Sequence, residues 1–229
     1  MRSRIETPIA GVTGPDAMGL LSTTSPVGDY NLKPLTFASR TGGWLFRQRT
    51  WLPLPLVAAL LLIPPPPGTP DILPFVGAAI VAAGEAIRLW AVLHIGAISR
   101  TRSDRLGPLV DSGPFRRVRN PLYLGNILLW TGFSITARLV WLTPIVVMLL
   151  ALEYHAIVRW EEQLLAARIG EPYARYMREV PRWLPSLTAQ PSSSNGPAVF
   201  SWKETLFSER GTLIAIVAGF LLLWIKARF

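Results

Sequence analysis

Arginines, tyrosines and paired carboxylates stand at the ends of membrane-length apolar segments in this 229-residue chain. They fall in Gly113-Pro-Phe-Arg-Arg-Val-Arg-Asn-Pro-Leu-Tyr-Leu-Gly125, in Glu161-Glu162, and in Gly170-Glu-Pro-Tyr-Ala-Arg-Tyr176 with Val180-Pro-Arg-Trp-Leu-Pro185. Charge at the centre of a membrane helix costs roughly 2.5 to 3.5 kcal/mol per group, so a dense polar cluster at that boundary points to a polar ligand. Arginines hold carboxylate or phosphate, glutamates accept from ribose hydroxyls or an ammonium, and a tyrosine face lies against a cation. S-adenosyl-L-methionine offers every one of these groups. A nicotinamide dinucleotide offers them less completely, because its phosphates want more arginine. The residues alone leave the two ligands tied.

Local chemistry assigns parts within the cluster. Pro121 suits the first turn of a helix entering the membrane, and Asn120 before it is a good N-cap whose side chain can satisfy a free backbone N–H. Leu122, Tyr123 and Gly125 then lie in the first two turns. Arg159, Glu161 and Glu162 return to the same boundary, where Glu162, three after Arg159, can be fixed by it. Glu85 and Arg88, also three apart, either neutralise each other or orient an acceptor headgroup, as Glu153 and His155 could. His94 and His155 otherwise read as hydrogen-bonding residues at span ends. With no cysteine and two histidines, disulfides and a cysteine nucleophile are excluded and no metal centre is expected.

Half of the residues are hydrophobic, 16% are charged and the mean hydropathy is +0.35, which is too apolar for an ordinary soluble domain. The formal charge of +9 could suggest nucleic acid. The arginines cluster between apolar runs, however, where the positive-inside rule places them beside anionic lipid, and no nucleic-acid partner is expected. Five apolar stretches are visible: 51–63, closed by Pro64–Pro67; 72–98; 121–137, about 17 residues and near the lower limit for a span; 140–158; and 212–224, extending back toward Leu206. The third and fourth should form a tight antiparallel hairpin.

Basic residues precede the first stretch and follow the second and fourth. This fits an all-α protein of about five spans with its N-terminus inside, and leaves Lys226 and Arg228 outside in mild conflict. Residues 159–176 read as a separate amphipathic helical segment on the cytoplasmic face, broken at Gly170, with Tyr173 and Tyr176 on one face of a second short helix. Residues 1–45 read as a flexible or loosely docked arm, 46–188 as the membrane core, 189–204 as a Ser-rich linker and 205–229 as a C-terminal membrane helix.

The ordered set Gly84-x-x-x-Arg88 with Trp90-Ala91, Leu109-Val-x-x-Gly-Pro-Phe-Arg, Arg119-Asn-Pro-Leu-Tyr-Leu-Gly125, Glu161-Glu162, Gly170-x-x-Tyr173-x-x-Tyr176 and Val180-Pro-Arg-x-x-Pro185 resembles the isoprenylcysteine carboxyl methyltransferase and phospholipid methyltransferase superfamily. The resemblance covers residues 84–185. It implies a multi-pass membrane enzyme that binds S-adenosyl-L-methionine at the cytoplasmic face, the inner membrane in a bacterium, and takes a lipid or lipid-linked acceptor from the bilayer. Carried over by position, Arg119, Asn120, Pro121, Leu122, Tyr123, Gly125, Arg159, Glu161 and Glu162 form the cofactor site, with Tyr173, Tyr176 and Arg178 its cover.

Many relatives have histidine where this chain has Asn120, which cannot titrate near neutral pH. Alignment of donor and acceptor then carries much of the acceleration, on the order of 7 to 11 kcal/mol at best. Glu162 or Glu161 is the available base for an amine acceptor, while a carboxylate acceptor needs none. A phospholipid-type amine is preferred to an isoprenylcysteine carboxylate, and Glu162, Arg88 and Glu85 are the candidate catalytic residues. An NADPH-dependent sterol reductase and a non-enzymatic membrane scaffold or transporter are the alternatives.

Overall fold

A computed structural model describes residues 37–96, 109–188 and 200–228, with the side chains of 37–40 left aside. These residues form seven α-helices and no strand: α1 (Phe37–Gln48), α2 (Leu54–Leu62), α3 (Leu73–Ile95), α4 (Pro121–Thr136), α5 (Thr143–Ile169), α6 (Glu171–Glu179) and α7 (Trp202–Lys226). Proline in the first turn starts α2 to α6, where its fixed φ is already helical and its missing N–H has no partner to lose. The helix α7 begins with a capping box between Ser201 and Glu204. Gly96 and Gly170, at φ 68° and 73°, end α3 and α5 in a conformation that glycine reaches without a Cβ clash.

Three helical stretches among the described residues, Leu73–Ile95, Val140–Ile169 and Trp202–Lys226, are long and apolar enough to cross a membrane. At 1.5 Å per residue, α4 with 16 residues and α2 with 9 fall short of a hydrocarbon core about 30 Å thick. The all-helical membrane architecture therefore stands, and two of the five expected spans are shorter than a full crossing.

Small residues set the central contact, in which α3 packs along α4. A Cβ on Gly84 would lie 2.8 Å from the Gly125 carbonyl oxygen, and one on Gly132 would lie 2.6 Å from that of Gly77. Backbones this close gain dispersion contacts that lipid cannot supply. The main core joins Leu139, Leu142, Val146, Leu150, Tyr154 and Ile157 to Leu60 and Leu223, tying α5 to α2 and α7.

Three boundaries differ from the sequence reading. Residues 37–45, read as the end of a loose arm, belong to α1, which lies on α5. Gly42 and Gly43 permit this, since a Cβ on either would strike Ala156 or Trp160, and Phe46 packs on the Trp160 ring at 5.1 Å. The separate helix expected from residue 159 is instead the last third of α5, because no breaker stands between Val158 and Gly170. The linker expected over 189–204 lies outside the described residues for 189–199, and α7 has already begun at Trp202. Finally, Lys226, which conflicted with the charge rule, donates to the carbonyls of Leu60 (2.7 Å) and Ile63 (2.5 Å). It caps carbonyls of α2 that have no helical partner. The N-terminal arm before residue 37 and Arg100, Arg102 and Arg105 lie outside the described residues.

Candidate functional site

The arginine stretch and the Val180–Pro185 stretch recognise each other. A 3-10 turn at Gly113–Arg116 buries Phe115 and leads to Arg119, whose backbone N–H donates to the Pro181 carbonyl at 2.9 Å. Ser186 N–H donates to the Arg117 carbonyl at 2.8 Å, and the Arg117 guanidinium donates to the Leu187 carbonyl at 2.8 Å. The Tyr176 hydroxyl reaches the Phe115 carbonyl at 2.9 Å. Extended backbone near the membrane is thus satisfied from within the protein, as a low-dielectric setting demands.

Glu162 sits at the centre of this assembly. One oxygen forms an ion pair with Arg119 at 3.0 Å and accepts from Arg182 Nε at 3.0 Å, and the other accepts from Arg182 at 2.6 Å. Arg119 also donates to the Met177 carbonyl at 2.6 Å. The expected partner of Glu162 is therefore corrected: Arg159, on the same helix, is exposed, and Arg119 and Arg182 do the fixing. Glu162 thus holds two guanidiniums from distant parts of the chain in fixed places. Hydrogen bonding to Glu162 raises the pKa of Arg182 further, against a smaller effect of burial.

Glu161 faces another way and accepts from the Tyr123 hydroxyl at 2.9 Å. The Tyr123 ring packs on Tyr154 at 4.8 Å. Tyr173 and Tyr176 share the inner face of α6, as their spacing predicts, with ring centroids 5.9 Å apart. They close on Val180, Leu165, Ala166 and Ile169. Burial pushes both phenols well above their ordinary pKa, so they remain neutral hydrogen-bonding groups. Arg178, expected beside them as part of the cover, points outward and pairs with exposed Glu171 at 2.7 Å.

One further expectation changes, and two more of the expected site residues have packing neighbours. Asn120 makes no capping bond to α4; its side chain donates to the Arg182 carbonyl at 3.2 Å, fastening the two recognition stretches together. Leu122 packs on the small cluster of Ala91, Val110 and Phe115, beneath fully buried Pro121. Gly125, expected to border the cofactor, makes room for a neighbouring helix, since a Cβ there would lie 2.5 Å from Arg88 Cγ.

The stem of Arg88 crosses Gly125 to reach a second polar cluster. Its guanidinium donates to Asn126 Oδ1 at 2.5 Å, to Glu209 at 2.6 Å and to Thr212 at 3.2 Å, and Nε lies 3.5 Å from Glu85. Glu85 and Arg88 do pair, loosely, but the stronger partner is Glu209 of α7. Asn126 also interacts with the Tyr154 hydroxyl, so a polar and aromatic path runs from Arg88 through Asn126, Tyr154 and Tyr123 to Glu161. Sequence reading missed Asn126, Glu209 and the role of Arg182. Arg182 stood in a quoted motif, and Glu209 is an acid in a membrane-length helix, which was a usable signal. His94 accepts or donates at the Trp90 carbonyl, 2.9 Å away, and His155 stacks on Trp183; neither reaches the clusters.

The residues gathered where α4 begins and α5 ends could hold a group with carboxylate, ammonium or hydroxyl functions. Arg119 Nε is buried and has no hydrogen-bond acceptor among the described residues, as a donor awaiting a carboxylate would be. Glu161, on the other side of α5 with Tyr123, can accept from an ammonium or a hydroxyl. No group of three His, Cys, Asp or Glu among the described residues could hold a metal ion.

Comparison with known proteins gives this arrangement a class. Residues 72–171 match the phospholipid methyltransferase family, which agrees with the superfamily read from the motifs. With the apolar helices, this describes an integral membrane protein carrying a methyltransferase-type domain. The chain is 33% identical over 101 residues to the cobalt-zinc-cadmium resistance protein CzcN of Cupriavidus metallidurans, covering 44% of each chain. It is 32% identical over 107 residues to the nickel-cobalt-cadmium resistance protein NccN of Alcaligenes xylosoxydans xylosoxydans, covering 47% of each. The alignments span less than half the length of these curated relatives. No solved structure matches the chain.

Proposed function

We propose that the chain is a membrane methyltransferase that uses S-adenosyl-L-methionine at the cytoplasmic face to methylate a lipidic acceptor. The observation that carries this reading is the Arg119–Glu162–Arg182 assembly with its unpartnered Arg119 Nε, set inside and beside a segment matching a methyltransferase family. When bound, the cofactor supplies an electrophilic methyl group. Arg119 holds an anionic end, Glu161 and Tyr123 offer hydrogen bonds to ammonium or hydroxyl groups, and Tyr173 and Tyr176 exclude water from above. Glu162 keeps both arginines in place. Asn120 acts by fastening Arg182, so the site needs no titrating residue at that position.

Calorimetry on purified protein with S-adenosyl-L-methionine and with its demethylated product tests the cofactor, and absence of heat with both would sink the reading. A membrane lipid extract incubated with labelled methyl donor and resolved by mass spectrometry then identifies the acceptor. The names of the two relatives favour one addition, that this methylation serves tolerance to cobalt, zinc, nickel or cadmium. Growth of a deletion strain on each metal, unchanged from the parent, would remove it.

A further inference from the structure

One flank of α7 turns positive charge toward the bilayer. Lys203, Phe207, Arg210, Ile214, Val217 and Leu221 recur at steps of three and four residues, which puts them on one face of a helix. Lys203 and Arg210 are exposed, and the four apolar residues are each more than half exposed. The buried residues of α7, Thr205, Ser208, Glu209 and Leu223, stand on its other side.

Arg210 donates to the Phe207 carbonyl at 2.6 Å and lays its guanidinium on the Phe207 ring, 3.9 Å from the centroid. Both contacts lie within its own helix, and neither supplies a negative charge. The two acids of α7 are engaged elsewhere: Glu204 closes the capping box with Ser201, and Glu209 pairs with Arg88 at 2.6 Å. From Arg210 to Lys226 the helix rises about 24 Å, less than a hydrocarbon core about 30 Å thick. The two residues cannot both stand at the headgroup level of an undeformed bilayer, so a counter-group is called for. Lys226 has carbonyls of α2, whereas Arg210 faces lipid.

We propose that this flank binds an anionic phospholipid, with the headgroup phosphate on Arg210 and Lys203 and an acyl chain along Ile214, Val217 and Leu221. A guanidinium fork matches a phosphate with two parallel hydrogen bonds, and the ammonium adds a second point of charge. Gly211 leaves room beside Arg210, since a Cβ there would meet nothing within 4 Å. The stripe from Arg210 to Leu221 is about 16 Å long, about the depth of one leaflet of that core. A zwitterionic headgroup would bring its own cation against these two. A second copy of the chain, related by a two-fold axis along the membrane normal, would set Arg210 against Arg210.

Bound in this way, the lipid fixes how deep α7 sits and so the register in which Glu209 meets Arg88. The flank lies outside the segment that matches the methyltransferase family, and the site does not depend on methyl transfer.

The test is native mass spectrometry of the full chain released from nanodiscs of equal parts phosphatidylglycerol and phosphatidylcholine with matched acyl chains. The wild type should retain the glycerol lipid about tenfold over the choline lipid. Arg210→Gln should remove the preference, and Lys203→Gln should lower it about threefold. Arg228→Gln is the control: Arg228 also stacks on an aromatic ring of its own segment, Trp224, at 4.9 Å, but it lies past the end of α7, and its loss should leave the preference unchanged.

Equal retention of the two lipids by the wild type overturns the proposal. So does a preference that survives Arg210→Gln, or one that falls equally with Arg228→Gln and is therefore diffuse surface charge. Dimers carrying no glycerol lipid would assign the flank to a second copy and overturn it as well. If Arg210→Gln fails to fold, Lys203→Gln decides alone, and a wild-type preference in that variant overturns the site.

Discussion

The two polar clusters of this protein are built in opposite ways. At the end of α5, one carboxylate, Glu162, is shared by two arginines, Arg119 and Arg182. Between α3 and α7, one arginine, Arg88, lies against two carboxylates, Glu85 and Glu209. The first cluster leaves a buried donor over, Arg119 Nε, and the second leaves buried acceptors over, both oxygens of Glu85. Unsatisfied donors suit an anionic group and unsatisfied acceptors a cationic one. Tyr123 and Tyr154 pack against each other between the two clusters, and the proposed cofactor reading concerns the first of them.

The sharpest way to break the comparison is to remove the shared carboxylate. Glu162→Ala strands Arg119 and Arg182 together, and should lower stability by about 3 kcal/mol, the low end for a broken buried pair because Arg182 is partly solvated. Thermal unfolding in detergent measures it, and S-adenosylhomocysteine binding should vanish alongside. Gly125→Ala attacks the second cluster without altering a charge. Its Cβ would meet Arg88 Cγ at 2.5 Å and the Gly84 carbonyl oxygen at 2.8 Å, costing about 1 to 3 kcal/mol as overpacking. Separation of α3 from α4 should show as a lower melting temperature, with cofactor affinity changed less than in the Glu162 variant.

A smaller effect is expected between the clusters. Tyr123→Phe loses one hydrogen bond to Glu161, worth about 1 kcal/mol, and should weaken S-adenosylhomocysteine binding less than tenfold by calorimetry. The smallest effect belongs to an ion pair outside both clusters. The hydrogen bond and charge of Arg178 lower the pKa of Glu171, so the pair's contribution is present at neutral pH and fades as pH falls through that lowered value. Both groups are solvated, and Arg178→Ala should leave the neutral-pH melting temperature unchanged. A clear drop would mean that α6 is held by this pair rather than by its tyrosine face.

Much of this was legible in the residues. The small-residue run of α3 announced close packing, the prolines and glycines placed the helix ends, and the spacing of Tyr173 and Tyr176 put both on one face. The convergence of the 113–125 stretch on Glu161 and Glu162 also followed from a hairpin of helices. Illegible were the partners. Arg159 was the nearest arginine to Glu162 along the chain, yet the sharing arginines come from 43 residues before (Arg119) and 20 after (Arg182). Local spacing carries no information on which distant guanidinium is brought near.

Glu209 shows the same limit. As one acid in an apolar helix it could have faced water at a fraying end, and only the docking of α7 on α3 puts it on Arg88. The sequence by itself determined the helical membrane class, the helix ends and the stock of charged groups, because hydropathy, proline and glycine act within a turn or two of where they stand. The pairing of those charges was decided by the tertiary structure, because burial makes each pairing depend on which helices lie together. That is why Gly125 proved to be the gap through which Arg88 joins its cluster.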